Sequence, residues 1–344
     1  MGVQRHRPQH RLVHPTLRAA SERRLGLFTT ADALRAGYGA SEIRALCRSG
    51  SWVRLRRGVL AEASTMAAAE AAGRRYDVDC LAVLLGLDRP SALLSHTSAA
   101  RLWELPTPRT VEPVVRLTDP VQWRRGRDYL MTCAPLSAGE RWRTGPLPLT
   151  SAPRTLVDCA REWPLEDAVV AMDAALLAER TSLDDLHRAT VAVHHWRGAG
   201  RAARATAHAD GRAESPLETR GRLRIVGAGL PAPELQVEIR DGGCLVGVVD
   251  AWFDAAAVAV EFDGQVKYTN PWRGRAPERV LWEEKRREDE LRALDIRMVR
   301  IADADVGPGW PRVERRLRGL LAVPGPAERR FTAIPRARGV RRTG

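Results

Sequence analysis

The sequence predicts an α/β protein with an N-terminal winged helix, an α+β middle region and a C-terminal domain in which helices flank a central mixed sheet. Near the N-terminus, two short helices are followed by a segment in which apolar and basic residues alternate. Helix-like and strand-like segments follow through the middle of the chain. Closer to the C-terminus, a helix-capping motif precedes three strand-like segments, and the last of these is apolar on both faces like an internal strand.

The 344 residues, 44% of which are hydrophobic, are sufficient to bury several cores. The formal net charge is +13, and the ends carry most of it, because Met1–Arg24 and Gly325–Gly344 each hold six arginines and one glutamate. We expect residues 1–24 to be a disordered basic arm and residues 306–344 to form a helix and a basic tail. Charge on such ends is weak evidence for nucleic-acid binding, so the body of the chain has to be judged by its motifs.

The five cysteines are scattered and odd in number, with no Cys-x-x-Cys pair. This pattern argues against a disulfide framework or a structural zinc site and is typical of a reducing cytoplasm. No apolar run approaches the length of a membrane span, and the N-terminal residues are polar. We therefore expect a cytoplasmic protein with no membrane partner.

Residues 25–75 are predicted to form a winged helix-turn-helix. Thr29 can cap a first helix, Ser41 can cap a second helix that Gly50 ends, and residues 52–60 alternate as a hairpin wing would. The second helix and the wing carry arginines that we expect to contact DNA. These are Arg44, Arg48, Arg54, Arg56 and Arg57. The alternative is that these arginines are simply the solvated faces of a small packing unit.

Gly26–Val59 resembles the N-terminal winged-helix domain of the abortive-infection type IV antitoxins. The match includes the Gly-Leu-Phe-Thr-Thr sequence at 26–30 and the Trp-Val-Arg-Leu-Arg-Arg-Gly-Val sequence at 52–59. The chain departs from the family pattern at Leu60, where the family usually has tyrosine. The resemblance implies a DNA-binding regulator.

Residues 80–205 are predicted to be an α+β domain that resembles the region after the winged helix in antitoxin-like proteins of high-GC bacteria. A catalytic role for His96, Arg154 and Asp158 is one interpretation of this region. Helix capping and salt bridges are the favoured interpretation of the same residues. A linker-like stretch follows, and we place a domain boundary near residue 210.

Carboxylates come together in the predicted fold of the C-terminal strands. If the last two strands form a hairpin centred on residues 255–256, Asp250 lies directly opposite Glu261. Strand alternation then places Asp263 on the same side as Glu261. Like charges so placed are destabilising unless a cation lies between them, and Mg²⁺ or Mn²⁺ takes oxygen ligands of this kind. Asp250, Glu261 and Asp263 are therefore predicted metal ligands, the alternative being a solvated strand end.

Lys267 and Lys285 are the only lysines in this arginine-rich chain, and both lie near the acidic residues in sequence. A retained lysine indicates chemistry that needs a compact ammonium group, to hold a water molecule or a phosphate. Lys285 and the neighbouring Arg287 are predicted to contact DNA.

Residues 212–305 resemble the very-short-patch-repair-type endonuclease domain, which has the restriction-endonuclease-like PD-(D/E)XK fold. The matching segments are Glu214–Arg220, Gly229–Pro231, Val249–Asp250, Val260–Gly264, Glu284–Arg292 and Arg297–Ile301. The resemblance implies that Glu218 is the helix carboxylate and that Asp250 is the central metal ligand. Glu261 and Asp263 take the remaining acidic positions.

The chain departs from the endonuclease pattern at two of these positions. Asp263 stands where the wider superfamily has its lysine, as is usual in this branch, and Lys267 stands where the branch usually has histidine. A protonated lysine would stabilise the charge of a leaving group and would not readily accept a proton. The predicted catalytic residues are Asp250, Glu261, Asp263, Lys267 and Glu218.

Three functions are compatible with these patterns. The first is a DNA-binding protein with a Mg²⁺-dependent endonuclease domain that hydrolyses phosphodiester bonds. The second is an antitoxin-type transcriptional regulator whose nuclease fold is a non-catalytic scaffold, because fold by itself does not establish activity. The third is that the middle region binds a protein partner such as a cognate toxin.

Overall fold

A computed structural model describes residues 14–264 and 277–336. The chain divides into two compact units, one ending at Thr155 and the other beginning at Leu156. Helices and mixed sheets occur in both units, so the predicted mixed α/β fold class is confirmed. The predicted limits of the individual domains stay predictions. Within the described ranges, no helix is both long and apolar enough to cross a bilayer.

The first unit begins with a winged-helix module. Its helices are α1 (Pro15–Glu22), α2 (Thr30–Arg35) and α3 (Ala40–Arg48), and its strands are β1 (Leu27–Thr29), β2 (Trp52–Arg56) and β3 (Val59–Glu62). Strand β3 lies between β1 and β2 and is antiparallel to both. The three helices cover one face of this sheet through Leu17, Ala33 and Ile43, which pack with Phe28 and Trp52. The predicted pair of helices and the hairpin wing are both present.

Of the two helix caps predicted for the winged helix, one is present and the other is not. Thr29 caps α2 as predicted, in a capping box in which the Asp32 carboxylate accepts hydrogen bonds from the Thr29 backbone. Helix α3 begins earlier than predicted, and Gly39 is its N-cap, without a side-chain hydrogen bond. The predicted cap at Ser41 is therefore wrong, because Ser41 already lies inside the first turn.

Helix α1 lies in the segment predicted to be a disordered arm. The His14 side chain accepts a hydrogen bond from the Thr16 backbone, and Pro15 occupies the first turn, where proline is favoured. Leu17 is 1% exposed in the core of the module. One buried leucine and a favourable N-terminus thus order residues 15–22, whereas residues 1–13 lie outside the described ranges.

The rest of the first unit is built on a six-stranded sheet. Its helices are α4 (Ala63–Ala71), α5 (Arg75–Leu87) and α6 (His96–Leu102), and its strands are β4 (Leu93–Leu94), β5 (Val115–Asp119), β6 (Arg124–Arg125), β7 (Tyr129–Cys133), β8 (Arg141–Thr144) and β9 (Leu147–Thr150). The strand order is β6-β7-β5-β4-β9-β8. Val83 of α5 belongs to one core that also contains Val59 from the winged-helix sheet and Leu117 from the larger sheet. The winged helix and this sheet therefore fold around a common core.

Helix α7 (Ala152–Ala160) connects the sequences of the two units, and the second unit begins with a helical part. Its helices are α8 (Leu165–Leu177), α9 (Leu183–Ala192), α10 (Ala199–His208) and α11 (Pro216–Gly227). Thr219 and Arg222 of α11 both bond the buried Asp173 carboxylate of α8, at 2.8 and 2.9 Å. Helices α7 and α8 are separated by residues 161–164, which end in Pro164.

The second unit ends in a five-stranded mixed sheet. Its strands are β10 (Glu234–Asp241), β11 (Cys244–Phe253), β12 (Val258–Asp263), β13 (Arg297–Ala302) and β14 (Phe331–Pro335), and its helices are α12 (Pro277–Ala293) and α13 (Trp310–Leu321). The strand order is β13-β12-β11-β10-β14, with only β12 and β13 paired in parallel. Helices α11 and α13 pack with one face through Ile225 and Leu317, and α12 packs with the other through Leu291. The predicted central mixed sheet flanked by helices is present.

Strand β14 differs from the predicted basic tail. It pairs antiparallel with β10 and forms the edge of the sheet, and Phe331 is buried against Trp252, with ring centroids 5.8 Å apart. Arg329 forms an ion pair with Asp254 at 2.7 Å. A single buried aromatic residue and pairing with β10, whose outer hydrogen-bonding groups would otherwise lack strand partners, therefore order the predicted tail as far as Arg336.

Candidate functional site

The second helix of the winged helix has one apolar and one basic face. Ile43 of α3 is 3% exposed in the core of the module. Arg44 and Arg48 are exposed and lie one helical turn apart, on the side of α3 that faces away from this core. Helix α3 therefore presents a pair of cations to solvent, as a recognition helix requires.

The wing adds further exposed cations. Strands β2 and β3 are paired antiparallel, and Gly58, with a φ of +79°, lies in the turn between them. Arg54 and Arg57 are exposed in this hairpin.

Arg56 is placed differently from the other predicted DNA contacts. Its guanidinium lies 2.6 Å from the Asp128 carboxylate and 5.3 Å from the ring centroid of Tyr129, and its side chain is 20% exposed. The partner lies far along the chain, in the loop before β7, so local sequence does not reveal it. We therefore assign Arg56 to packing between the wing and the larger sheet and leave Arg44, Arg48, Arg54 and Arg57 as the candidate DNA-binding surface.

The second candidate site is the group of carboxylates in the five-stranded sheet. Within it, Glu218, Asp250 and Glu261 are 6%, 2% and 5% exposed. The side-chain amide nitrogen of Gln236 donates to Glu218 Oε2 at 3.1 Å and lies 3.5 Å from Asp250 Oδ1. Gln236 was not predicted as part of the site, because it occupies an ordinary polar position in a strand that alternates polar and apolar residues.

Glu218 has two local roles at the start of α11. Its backbone N–H donates to the Ser215 hydroxyl at 3.2 Å, so the predicted cap is confirmed. Its carboxylate accepts a hydrogen bond from the Glu214 backbone at 2.8 Å. Burial, together with the negative charge of Asp250, raises the pKa of Glu218 to about 7 from its ordinary value of 4.5.

The predicted hairpin register is confirmed as far as the pair Ala251 and Val260, which is one step from Asp250 and Glu261. The two carboxylates nevertheless bond in different directions. Asp250 Oδ2 accepts a hydrogen bond from the Phe262 backbone at 2.8 Å. Glu261 Oε2 lies 3.2 Å from the Arg287 guanidinium of α12.

Alternation between the two faces of the sheet is broken at Asp250. Val249 packs on the α12 side, and Ala251, two residues later, packs on the α11 side. The neighbouring strand changes face in the same way around Gln236, whose φ of +53° is rare for a residue other than glycine. Asp250 and the helix residue Glu218 therefore share the Gln236 amide, whereas Glu261 bonds Arg287 of α12, which differs from the shared face that regular alternation predicts.

The remaining predicted residues lie at the periphery or outside the described ranges. Asp263 is half-buried at the end of β12, and Lys285 is exposed on α12. Arg287 is a partner of Glu261 and also donates to the Val248 carbonyl at 3.2 Å, so its described contacts are internal. Lys267 lies outside the described residues.

A divalent metal does not fit the described side chains of this cluster. An amide lies between Glu218 and Asp250, and a guanidinium faces Glu261, where a metal site would bring oxygen ligands around one ion. Over residues 14–264 and 277–336, no group of three His, Cys, Asp or Glu side chains is arranged to hold a metal. Binding of Mg²⁺ or Mn²⁺ by Asp250, Glu261 and Asp263 stays a prediction.

Residues 15–63 match a family described as "Transcriptional regulator, AbiEi antitoxin". This segment is similar to the regulator domain of that antitoxin family. The match begins with α1 and ends just after β3, so it contains the whole winged helix and its exposed arginines. The resemblance predicted from Gly26–Val59 is confirmed, and the domain extends into the predicted arm.

Two Mycobacterium tuberculosis proteins are similar to part of the chain. They are described as uncharacterized proteins MT2308 and Rv2248, and each is 32% identical to this chain over 175 residues. The aligned part is 51% of this chain and 63% of each relative, so less than two thirds of their length is covered. The crystal structure of the RV2827C protein from Mycobacterium tuberculosis has a TM-score of 0.38 and 19% identity, covering 60% of this chain and 78% of that chain. Of these comparisons, the family match is the one whose description names a function, and it covers residues 15–63.

Proposed function

We propose that the protein is a DNA-binding transcriptional regulator of the antitoxin type, in which the winged helix binds duplex DNA. The observation that carries the proposal is the exposed surface formed by Arg44, Arg48, Arg54 and Arg57 within an antitoxin regulator domain. Such proteins act in the cytoplasm, and a cognate toxin is the proposed protein partner.

Each part of this surface has a role in binding. Helix α3 is the element that enters the major groove, where Arg44 and Arg48 can reach base edges and phosphates. Arg54 and Arg57 on the wing contact the phosphate backbone beside it and fix the orientation of α3. All four side chains are permanently charged, so binding releases counterions and weakens as salt rises.

In this proposal the C-terminal domain is a scaffold that does not hydrolyse DNA. Internal donors already engage Glu218, Asp250 and Glu261, which supports a structural role for these carboxylates. The similarity of residues 212–305 to an endonuclease then reflects the fold alone. The competing interpretation is a metal-dependent nuclease whose site consists of Asp250, Glu261, Asp263 and Lys267.

The test is duplex-DNA binding by the full chain, with targets first selected from a random duplex library. We expect Arg44→Gln/Arg48→Gln to weaken binding by about a hundredfold, since each lost contact costs about 1–3 kcal/mol. The matched control is Arg188→Gln on α9, an exposed arginine outside the winged helix. Equal affinities of parent and double variant, with circular dichroism showing both folded, would contradict the proposal.

A further inference from the structure

A groove of about 930 Å³ lies within the first compact unit. Helices α1, α2 and α5 and the turn between β8 and β9 contribute its lining. In the described part of the chain, its lining contains four arginines and a single carboxylate. These are Arg23, Arg24, Arg35, Arg143 and Asp32. Arginine does not lose its proton in proteins, so the lining keeps three positive charges in excess at neutral pH.

Asp32 holds two of these arginines in place. Its Oδ2 atom lies 2.8 Å from Arg24 Nη1, and its Oδ1 atom is paired with Arg35. The Thr29 backbone and hydroxyl donate to the same Oδ2 atom at 2.8 and 2.7 Å. Burial raises the pKa of Asp32, but the bonds from Thr29 and the two arginine charges outweigh burial and lower it. Asp32 is therefore ionised and fully engaged, and the guanidinium groups it fixes have further N–H donors to offer a ligand.

The other two arginines come from different elements of the lining. Arg23 follows α1, and Arg143 lies on β8, the edge strand of the six-stranded sheet. Both side chains are exposed. Arg143 precedes the Gly145–Pro146 turn, where Gly145 has a φ of +53° that favours glycine. Arg143 thus adds a cation from the β8–β9 hairpin to the pair held by Asp32.

The groove also has an apolar strip. Leu81 and Leu85 of α5 line it, together with Pro146. A ligand with several negative charges and a flat apolar part matches this lining, because guanidinium groups pair with phosphate oxygens in a planar, two-point geometry. The volume is in the range of roughly 300–1,000 Å³ that is usual for small-molecule sites.

The groove is separate from the candidate DNA-binding surface. Helices α1 and α2 pack against β1, and α3 packs against β2. Strands β1 and β2 are the two edges of the winged-helix sheet, with β3 between them. The groove lies beside β1, and the wing and α3 lie beside β2, so one DNA duplex on α3 does not need the groove arginines.

We propose that this groove binds a phosphate-bearing small molecule of nucleotide size, with Arg23, Arg24, Arg35 and Arg143 holding its phosphates. The apolar strip on α5 and Pro146 contacts the ring of the ligand. The site is additional to the proposed DNA-binding function and does not depend on it.

The experiment is isothermal titration calorimetry of the full chain with ATP, pyrophosphate and adenosine at low salt. We expect ATP and pyrophosphate to bind and uncharged adenosine to give no measurable heat. Arg23→Gln/Arg143→Gln leaves the Asp32 network intact and should weaken ATP binding roughly tenfold or more, since two charge-assisted contacts to the phosphates are lost. The single variant Arg143→Gln, at a sheet edge, is the second variant should the double variant fail to fold.

Two controls separate this site from other basic surfaces. Arg18→Gln changes an exposed arginine of α1 that is not part of the lining, and Arg44→Gln/Arg48→Gln changes the DNA-binding surface. Both are expected to bind ATP as the parent does, whatever becomes of DNA binding. No binding of ATP or pyrophosphate at millimolar concentration overturns the proposal, and so does equal loss in Arg18→Gln. A short poly-glutamate peptide that binds more tightly than ATP, or a greater loss of DNA than of ATP affinity in the groove variant, also overturns it.

Discussion

The winged helix and the C-terminal domain carry charges in opposite environments. Arg44 and Arg48 lie on solvent-exposed positions of α3, with the core of the module behind them. Glu218, Asp250 and Glu261 are buried and bonded to an amide, a backbone N–H and a guanidinium. An exposed cation can exchange water and counterions for a polyanion, whereas a buried carboxylate first has to lose the donors that surround it. A cluster of charged residues therefore indicates a binding surface in one region and an internal network in the other.

The largest expected effect is on the pH dependence of stability, and it comes from Glu218, whose pKa is raised by burial and by the charge of Asp250. Its pKa in the folded protein is about 7 against an ordinary 4.5, so the folded state holds a proton that the unfolded state has released. The contribution of protonated Glu218 to the free energy of unfolding is fully present below pH 4.5 and is lost as pH rises through 7. Relative to Glu218→Gln, the parent should lose on the order of 3 kcal/mol of unfolding free energy across this interval.

Urea unfolding of the parent and Glu218→Gln between pH 4.5 and 8 measures this difference. Glutamine keeps the acceptor for the Glu214 N–H and removes the titrating group. Glu234→Gln, at the exposed start of β10, is the matched control and should follow the parent. Parallel stability curves for the parent and Glu218→Gln would show that this carboxylate is not buried as a charged pair with Asp250.

A smaller effect separates two arginines of the same strand. Arg54 is exposed and Arg56 is paired with Asp128, so Arg54→Gln should reduce the slope of log affinity against log salt by about 1. Arg56→Gln should leave that slope unchanged and should lower the unfolding free energy by about 1 kcal/mol, since it breaks a partly buried pair. Fluorescence anisotropy with a labelled duplex and thermal unfolding measure the two quantities. A smaller slope of log affinity against log salt in Arg56→Gln would show that Arg56 contacts DNA.

The smallest effect is expected from divalent metal. If the carboxylates are a structural network, millimolar Mn²⁺ should leave the melting temperature of both the parent and Asp250→Asn unchanged, and neither protein should cleave supercoiled plasmid. A ligand that binds only the folded state would raise the melting temperature by mass action. If Mn²⁺ stabilises the parent and the parent cleaves plasmid, and both effects disappear in Asp250→Asn, the C-terminal domain is a nuclease. The buried carboxylates would then form a functional site, as the exposed arginines of the winged helix do.

Several local features were determined by the sequence itself. The Thr29 and Ser215 caps, the wing hairpin and the register near Ala251 and Val260 follow from short-range hydrogen bonding and from the two-residue period of strands. The cations of α3 could be predicted too, because helical spacing alone places Arg44 and Arg48 away from Ile43. These features depend on residues that lie a few positions apart.

Tertiary structure alone decided which charged groups are exposed for binding a ligand and which are paired inside the protein. Arg56 bonds Asp128, Glu261 bonds Arg287, and β14 adds itself to the edge of β10, all between residues that are far apart in sequence. The change of face around Gln236 and Asp250 has no local signal, since periodicity assumes a regular strand. Whether a charged side chain faces water or a partner depends on long-range packing. For this reason the sequence could predict the elements that carry the candidate site, but could not predict the partners of its buried charges.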